Sequence, residues 1–301
     1  MQSFLFVIEK GDYIMRRQNL LFSALLCATL VGCGGGSNSS STQPKEKLIV
    51  GLECNYAPFN WTENTKTDSN YEISGTVTYA EGYDVQIAKR IADELNMELV
   101  IKKLEWDALI PSVQEYTIDL IIAGMSPTET RKVDIDFTSP YYSSEHVLLV
   151  EASSTYANIT SVSELNGARI AGQIGTLYDD IAHAIPGVVV GGDKPTVPEL
   201  VTELQAGIID GTVLELPVAQ GLVAANSDLK MVRFEEGKGF TQLVDEDTNE
   251  IRAIEDTDRD VAIGLAKSRD DLRSSINTIL DSISSEERAQ MMQSAVEKQA
   301  A

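Results

Sequence analysis

The stretch LIVGL, residues 48–52, opens the folded part of the sequence and decides its fold class. A continuous apolar run of this length is typical of a strand that is covered on both faces of its sheet. A helix is predicted next, with Asp84 as its cap and a buried stripe at three- and four-residue spacing, formed by Val85, Ala88, Ile91, Ala92 and Leu95. Residues 99–101, Leu-Val-Ile, predict the following strand. Strand, helix and strand in this order indicate an α/β protein.

The same alternation continues along the chain and then repeats. DALIPSVQ, residues 107–114, predicts a helix that tolerates Pro111 in its first turn, and IDLIIAGM, residues 118–125, predicts a buried strand. Later, VPELVTEL at residues 197–204 predicts a helix, and residues 211–214 predict a strand. The repeat predicts two similar α/β lobes with mixed, mostly parallel sheets.

Two crossing strands are predicted to join the lobes. The candidates are VLLV at residues 147–150 and VAIGL at residues 261–265. Because the chain crosses twice, the first lobe is discontinuous. The predicted lobes are residues 47–145 with 260–301, and residues 146–259.

The composition is that of a globular protein with an acidic surface. The chain has 301 residues, of which 43% are hydrophobic and 23% charged, and this suffices for two modest domains. Asp and Glu total 46 against 24 for Lys and Arg, and a net charge of -22 repels phosphate backbones. A nucleic-acid partner is therefore not expected. The acidic residues 235–260 include few apolar side chains and predict a solvated loop.

An export signal is predicted at the N-terminus. Arg16 and Arg17 precede LLFSALLCATLVG, residues 20–32, which is shorter than the roughly 20 apolar residues that span a bilayer. Met15 is the better start, because both arginines then follow the initiator directly. Residues 1–32 are accordingly predicted to be a signal peptide.

The signal ends in Leu-Val-Gly-Cys, residues 30–33, which resembles the lipobox of bacterial lipoproteins. The resemblance implies that Cys33 becomes the lipid anchor and that residues 33–46, rich in glycine and serine, form a flexible tether. The alternative is an ordinary secretory signal with a chance cysteine. Cys27 leaves with the signal, so Cys54 alone remains in the folded part and no intramolecular disulfide is expected. The predicted location is the extracytoplasmic face of a bacterial membrane.

Six motifs occur in order near the predicted strand ends, which is where open α/β sheets bind ligands. They are YAPF at residues 56–59, GYDV at 82–85, WDALIP at 106–111, ID at 118–119, GMSPTETR at 124–131 and DFTSPYY at 136–142. This series resembles the family 3 periplasmic solute-binding proteins, the polar amino-acid receptors of ABC importers, over nearly all of residues 47–290. The resemblance implies the type II periplasmic binding protein fold, a two-lobed clamp.

The same resemblance implies the partners. They are a free L-amino acid, the importer's permease with its cytoplasmic ATPase, and the membrane through the lipid anchor, for a protein that works as a monomer. No cofactor is implied.

Each charged end of a free amino acid has one candidate binding residue in the sequence. Arg131 follows Ser126 at a predicted strand-to-helix turn, and a guanidinium binds a carboxylate with two parallel hydrogen bonds. The resemblance assigns Arg131 to the ligand α-carboxylate; the alternative is a surface arginine. Glu215 follows the second lobe's strand, where the family usually has Asp, and is assigned to the α-ammonium; a structural salt bridge is its alternative.

The ligand side chain is assigned to Tyr56, Trp106 and Glu53. The two aromatics resemble the pair that sandwiches the ligand, since π faces hold aliphatic stems and attract cations, although either could belong to the core. Glu53 matches an acidic position that faces the ligand side-chain tip in relatives, and a buried carboxylate there favours a basic amino acid. An exposed glutamate is the alternative.

Backbone and hydroxyl groups complete the predicted site. The first lobe supplies Gly124, Met125 and Ser126, and the second supplies Gly175 and Thr176, which resemble a glycine turn that closes over the carboxylate. The sequence departs from the family where Leu177 and Ala123 replace common hydroxyl residues.

Catalysis and metal binding have little local support in the sequence. Neither His146 nor His183 is spaced with Cys, Asp or Glu as in a metal cluster, so no metal site is predicted. No hydrolase or nucleotide-binding motif occurs, so a non-enzymatic receptor is expected. The alternatives are an enzyme on the same fold, similar to cyclohexadienyl dehydratase and using Glu215 or Glu53, and a ligand-sensing surface lipoprotein.

Overall fold

The computed structural model describes residues 45–245 and 248–299. In that part of the chain the strands are β1 (Lys47–Leu52), β2 (Asn55–Tyr56), β3 (Asn60–Glu63), β4 (Tyr71–Glu72), β5 (Tyr79–Glu81), β6 (Glu98–Lys103), β7 (Leu120–Ile121), β8 (Asp136–Phe137), β9 (Tyr142–Ser143), β10 (His146–Glu151), β11 (Arg169–Ala171), β12 (Val189–Val190), β13 (Gly211–Glu215), β14 (Leu229–Val232), β15 (Gln242–Val244), β16 (Ile251–Ala253), β17 (Asp260–Val261) and β18 (Gly264–Leu265).

The α-helices of the described residues connect these strands. They are α1 (Tyr83–Glu94), α2 (Leu109–Gln114), α3 (Glu129–Asp134), α4 (Leu177–Ala184), α5 (Val197–Gln205), α6 (Leu216–Ala225), α7 (Asp270–Asp281) and α8 (Ser285–Gln299), with single 3-10 turns at Trp106–Ala108, Thr155–Asn158, Val162–Leu165 and Asp256–Arg259.

Two five-stranded sheets share one topology. The first has the order β6-β1-β7-β18-β8 and the second β12-β11-β13-β10-β14. In each, the first three strands are parallel and the last two pairings are antiparallel. The strand of residues 48–52 lies second in its sheet with its apolar side chains mostly buried, as the continuous apolar run predicts. The expected α/β fold with two lobes and mixed sheets is confirmed.

A two-stranded ribbon of β9 and β17 connects the lobes. Asp260 pairs with Ser143 and Val261 with Tyr142, in antiparallel register. The prediction of a crossing strand at residues 147–150 is wrong, because these residues belong to β10 inside the second sheet, between β13 and β14. An apolar run indicates a buried strand but does not indicate which side of a hinge it occupies.

The helices also differ in detail from the sequence predictions. Helix α1 begins at Tyr83 and its cap residue is Gly82. The prediction of Asp84 as the cap is wrong, because the Asp84 side chain is fully buried and hydrogen-bonded elsewhere. The acidic residues 235–260 are not only a loop, since β15 and β16 form a hairpin in which Leu243 is buried. The last helix, α8, packs against both α1 and α6.

Candidate ligand-binding cleft

A small cavity lies between the two sheets, at the ends of their parallel strands. It is lined by Glu53, Tyr56, Trp106, Ala123, Gly124, Ser126, Arg131, Gln173, Thr176, Leu177 and Tyr178. Seven of the predicted ligand-binding residues are in that set. Met125 and Gly175 instead line an adjoining pocket at the mouth with Trp106 and Arg131.

Arg131 is held in place by backbone oxygens from both lobes. It follows Thr128, whose hydroxyl caps α3 by accepting a hydrogen bond from the Arg131 amide over 3.3 Å. Its Nη1 donates to the Ser126 carbonyl at 2.9 Å and its Nη2 donates to the Gly175 carbonyl at 3.0 Å. The side chain is buried, which contradicts the surface alternative. A buried guanidinium between two lobes is suited to a ligand carboxylate.

Trp106 covers Arg131 and also contacts the second lobe. The Arg131 guanidinium carbon lies 5.2 Å from the Trp106 ring centroid, within the range of a cation–π contact. The indole Nε1 donates to the Gly175 carbonyl at 2.9 Å. Both side chains therefore converge on Gly175, whose φ of +71° suits glycine.

Glu53 is buried and faces the second lobe. Its Oε1 accepts a hydrogen bond from Gln173 Nε2 at 3.2 Å. Burial raises the pKa of Glu53 to about 7, although the hydrogen bond from Gln173 opposes the shift. The exposed alternative for Glu53 is thus contradicted, with 2% of the residue exposed.

Tyr56 forms one wall of the cavity. Its ring stacks on Phe59 with centroids 5.5 Å apart, and it leaves no room for a side chain at position 124. A Cβ on Gly124 would lie 2.9 Å from the Tyr56 ring, and Gly124 has a φ of +62°. Gly124 is therefore required here by both backbone conformation and close packing.

Glu215 lies behind the cavity wall, not on it. Its Oε1 accepts a short hydrogen bond from the hydroxyl of Tyr178, which does line the cavity. Its other oxygen, Oε2, is buried and makes no hydrogen bond of normal geometry with a described residue, although the nearby Tyr56 hydroxyl interacts with this carboxyl and opposes the shift of its pKa. Burial raises the pKa of Glu215 to about 8. A buried carboxylate oxygen without a donor is a place where a cationic group would be stabilised.

Asp84 anchors the floor of the cleft. Its Oδ1 accepts from the Tyr141 hydroxyl at 2.7 Å and its Oδ2 accepts from Asn60 Nδ2 at 2.8 Å. The Tyr141 hydroxyl in turn accepts from the Gly124 amide at 2.9 Å. This network fixes Gly124, and burial raises the pKa of Asp84 to about 7.

Thr176 and Leu177 form the second lobe's side of the cavity. The Thr176 hydroxyl donates to the Gln173 carbonyl at 2.7 Å, so it stabilises the turn that carries Gly175. Leu177 begins α4, and its buried apolar side chain lines the cavity.

Two residues of the cavity were not singled out from the sequence. Gln173 follows β11, and Tyr178 lies in the first turn of α4. The only indication in the sequence was proximity to the predicted glycine turn, since Gln173 lies two residues before Gly175 and Tyr178 three residues after it. Nothing in the sequence indicates that Gln173 reaches Glu53, since 120 positions separate them.

The sequence predicts no metal site at either histidine, and the structure places the two in different surroundings. His146 is largely buried, and this lowers its pKa to about 4. His183, in contrast, is exposed on α4 and lies in a group with Asp179 and Asp193 whose ligand atoms are within 4.8 Å of one another. The sequence did not predict this group, because Asp193 comes from a separate loop.

Two five-stranded sheets with the same pattern of parallel and antiparallel pairings, a two-stranded ribbon and a polar cleft between the lobes define a type II periplasmic binding protein. The chain belongs to the bacterial extracellular solute-binding proteins, family 3, whose model matches residues 48–295.

Similar proteins bear names that specify amino acids. The chain is 28% identical to the arginine-binding extracellular protein ArtP of Bacillus subtilis over 213 residues, which cover 70% of this chain and 77% of ArtP. It is 30% identical to a probable histidine-binding protein of Campylobacter jejuni, over 68% of this chain and 75% of that protein. A crystal structure of AbpA from Streptococcus pneumoniae bound to L-arginine superposes with a TM-score of 0.68 and 25% identity, over 85% of this chain and 96% of AbpA.

The predicted signal peptide, the tether and Cys33 lie outside the described residues. In the part of the chain that the structure describes, no helix combines the length and apolarity needed to cross a membrane. Within the described residues, Cys54 is a buried free thiol.

Proposed function

We propose that this protein is the extracytoplasmic receptor of an ABC importer for a basic L-amino acid, with arginine as the first candidate. The observation that carries the proposal is the pattern of buried charge. Arg131 is buried on the first lobe, and Glu215, on the second, has a buried carboxylate oxygen that accepts no hydrogen bond of normal geometry from a described residue. An α-carboxylate and an α-ammonium would complement these two groups.

Glu53 supplies the preference for a basic side chain. It is a third buried acidic group, and its partner Gln173 is neutral. A guanidinium or ammonium near Glu53 would favour the ionised form, whereas an acidic side chain would be repelled. The names of ArtP and the histidine-binding relative, and the arginine in the AbpA structure, support this choice.

The proposed mechanism is closure of a clamp about the β9–β17 ribbon. The ligand docks on the first lobe, residues 47–145 and 260–301, and the second lobe, residues 146–259, then closes over it with Thr176 and Glu215. Closure needs contacts that the ligand makes only in the closed state. The Gly175 carbonyl accepts hydrogen bonds from Arg131 and Trp106 of the first lobe, so these contacts between the lobes contribute to closure beside those of the ligand.

Delivery requires a membrane permease and a place at the membrane. The proposal assigns the permease and its ATPase as partners of the closed monomer, and Cys33 as the lipid anchor. Labelled palmitate should enter the wild-type chain but not Cys33→Ser, and the variant should be released from the cells. If both chains are retained without label, anchoring is contradicted while amino-acid binding is unaffected.

Binding is tested by a thermal-shift screen of the twenty amino acids, followed by calorimetry. Ligands that bind only the folded state raise Tm in proportion to the logarithm of concentration over Kd. Arginine, lysine or histidine should give the largest shift, and glutamate none. No response to any amino acid would overturn the proposal, and a preference for glutamate would overturn the role of Glu53. Uptake of labelled arginine by cells with and without the gene tests delivery.

A second candidate is an enzyme on the same fold. The raised pKa values of Glu53 and Glu215, about 7 and about 8, leave protonated carboxyls at neutral pH that can act as general acids. Mass analysis of bound candidates after long incubation separates the two functions. An unchanged ligand supports a receptor, and a dehydrated product supports an enzyme.

A further inference from the structure

Three side chains with metal-binding atoms meet on the second lobe, outside the cavity. Asp179 and His183 lie four residues apart on the same side of α4, and Asp193 lies in the loop after β12. One ligand atom from each residue is within 4.8 Å of the other two. Residues at positions i and i+4 of a helix are neighbours, so the helix itself supplies two of the three groups.

The fold holds Asp193 against α4 by a specific contact. The Asp193 Oδ1 accepts a hydrogen bond from the Gly172 amide at 3.1 Å. Gly172 permits this approach, because a Cβ at that position would lie 2.4 Å from the Asp179 Cα. The backbone around Gly172 therefore holds Asp179 and Asp193 close to each other.

The electrostatics of this group favour a cation. Oδ1 of Asp179 is buried and accepts no hydrogen bond of normal geometry from a described residue. His183 Nδ1 lies 3.2 Å from this oxygen and 2.9 Å from the Asp179 carbonyl oxygen. Lys194, next to Asp193, is paired with Glu203 at 2.8 Å. Among residues 45–245 and 248–299, neither aspartate forms an ion pair with a lysine or arginine. Two adjacent carboxylates of like charge repel each other unless a proton or a cation lies between them.

We propose that Asp179, His183 and Asp193 bind one divalent transition-metal ion of the zinc or manganese type, with water completing the coordination. Two carboxylates and an imidazole suit these ions, whereas calcium and magnesium prefer oxygen ligands alone. Metal–ligand bonds of about 2.1 Å place the ligands of one ion about 3–4 Å apart, so small side-chain rotations complete the site. His183 is exposed, which leaves a path for the ion and its water.

The ion would stabilise the loop that forms the second lobe's side of the cleft. Asp193 binds the amide of Gly172, and the next residues along the chain include Gln173 and Thr176 of the cavity. A metal that joins Asp193 to α4 therefore fixes both ends of this turn. Metal and amino acid should consequently strengthen each other's binding, because coupling between two sites is reciprocal.

The test titrates zinc chloride and manganese chloride into the tag-free full chain, without amino acid. Calorimetry should show one ion per chain with micromolar or tighter Kd, and Tm should rise with metal concentration. His183→Ala and Asp193→Asn should each weaken binding by at least about tenfold, since each removes one of three ligands. Asn at 193 keeps an oxygen for the Gly172 amide, so the fold should persist. Asp180→Asn, on the same helix but outside the group, is the matched control and should bind like the wild type.

The proposal is overturned if the wild type shows no heat and no Tm shift up to about 1 mM metal, a limit of weak affinity. It is also overturned if His183→Ala and Asp193→Asn bind as tightly as Asp180→Asn. Neither outcome bears on amino-acid capture, which is measured separately in metal-free buffer.

Discussion

Gln173 donates a hydrogen bond from Nε2 to Oε1 of Glu53 over 3.2 Å, and this contact joins the loop after β11 to the loop after β1. Gln173 Nε2 also donates to the Pro195 carbonyl at 2.9 Å, so a contact within the second lobe orients the amide group that binds Glu53. The buried acid of the first lobe thus has a neutral donor on the second. A basic ligand side chain would compete with this donor for Glu53.

The raised pKa of Glu53 makes stability depend on pH. The pKa is about 7 in the fold against an ordinary value of 4.5, so folding favours the protonated form of Glu53. This contribution is complete below about pH 4.5 and is lost as pH rises through about 7. Glu53→Gln should therefore gain stability relative to the wild type between pH 5 and pH 8, by up to about 3 kcal/mol. Urea unfolding at both pH values measures the change, and the exposed Glu115→Gln should show no such trend.

Arg131→Ala should abolish amino-acid binding, with affinity reduced by at least about 100-fold, because a bidentate charged contact is lost. Calorimetry with arginine measures the loss, and circular dichroism checks that the fold persists. Lys132→Ala is the matched control, since Lys132 is exposed and paired with Glu129 at the surface. Equal affinities in the two variants would remove Arg131 from the site.

Glu215→Gln should weaken binding by at least about tenfold, because the carboxylate proposed to bind the ligand ammonium is replaced by a neutral amide. The exposed Glu199→Gln serves as control. Retained affinity in Glu215→Gln would show that the ammonium binds elsewhere, for example at the hydroxyls of Tyr56 and Tyr178.

Binding of a basic amino acid should release protons near pH 7. Burial raises the pKa values of Glu53 and Glu215 to about 7 and about 8, and a cationic ligand favours their ionised forms. Affinity should therefore fall as pH drops below 7. Calorimetry in two buffers of different ionisation enthalpy counts the protons, and release should shrink in Glu53→Gln. Identical heats in both buffers would contradict the ionisation of either acid on binding.

Tyr141→Phe should destabilise the fold by about 1–3 kcal/mol, because Asp84 loses a buried donor and the Gly124 amide loses its acceptor. Thermal or urea unfolding measures the effect. Tyr116→Phe is the control: its hydroxyl contacts Ser268 at the surface, so its removal should change stability little. Similar values for both variants would mean that the network under Gly124 contributes no stability.

The sequence predicted the fold and several residues that line the cavity, and its errors have identifiable causes. The apolar run at residues 48–52 indicated a buried parallel strand. The motif around Arg131 predicted that this residue binds the ligand, and the structure places its side chain at the cavity. The position of Asp84 at a predicted helix start suggested a helix cap. Its side chain is instead buried and accepts hydrogen bonds from Tyr141 and Asn60. A local pattern does not contain the partners that a side chain meets through folding.

The sequence by itself determined the α/β class, the two-lobed repeat and the chemical types of the site, because hydrophobic periodicity and motif order are local properties of the chain. Only the tertiary structure decided that residues 147–150 lie inside the second sheet, that Glu215 lies behind Tyr178, and that Gln173 contacts Glu53. The same is true of Asp179, His183 and Asp193. These contacts join residues far apart in sequence, and their energies arise from burial and distance, which no local pattern specifies.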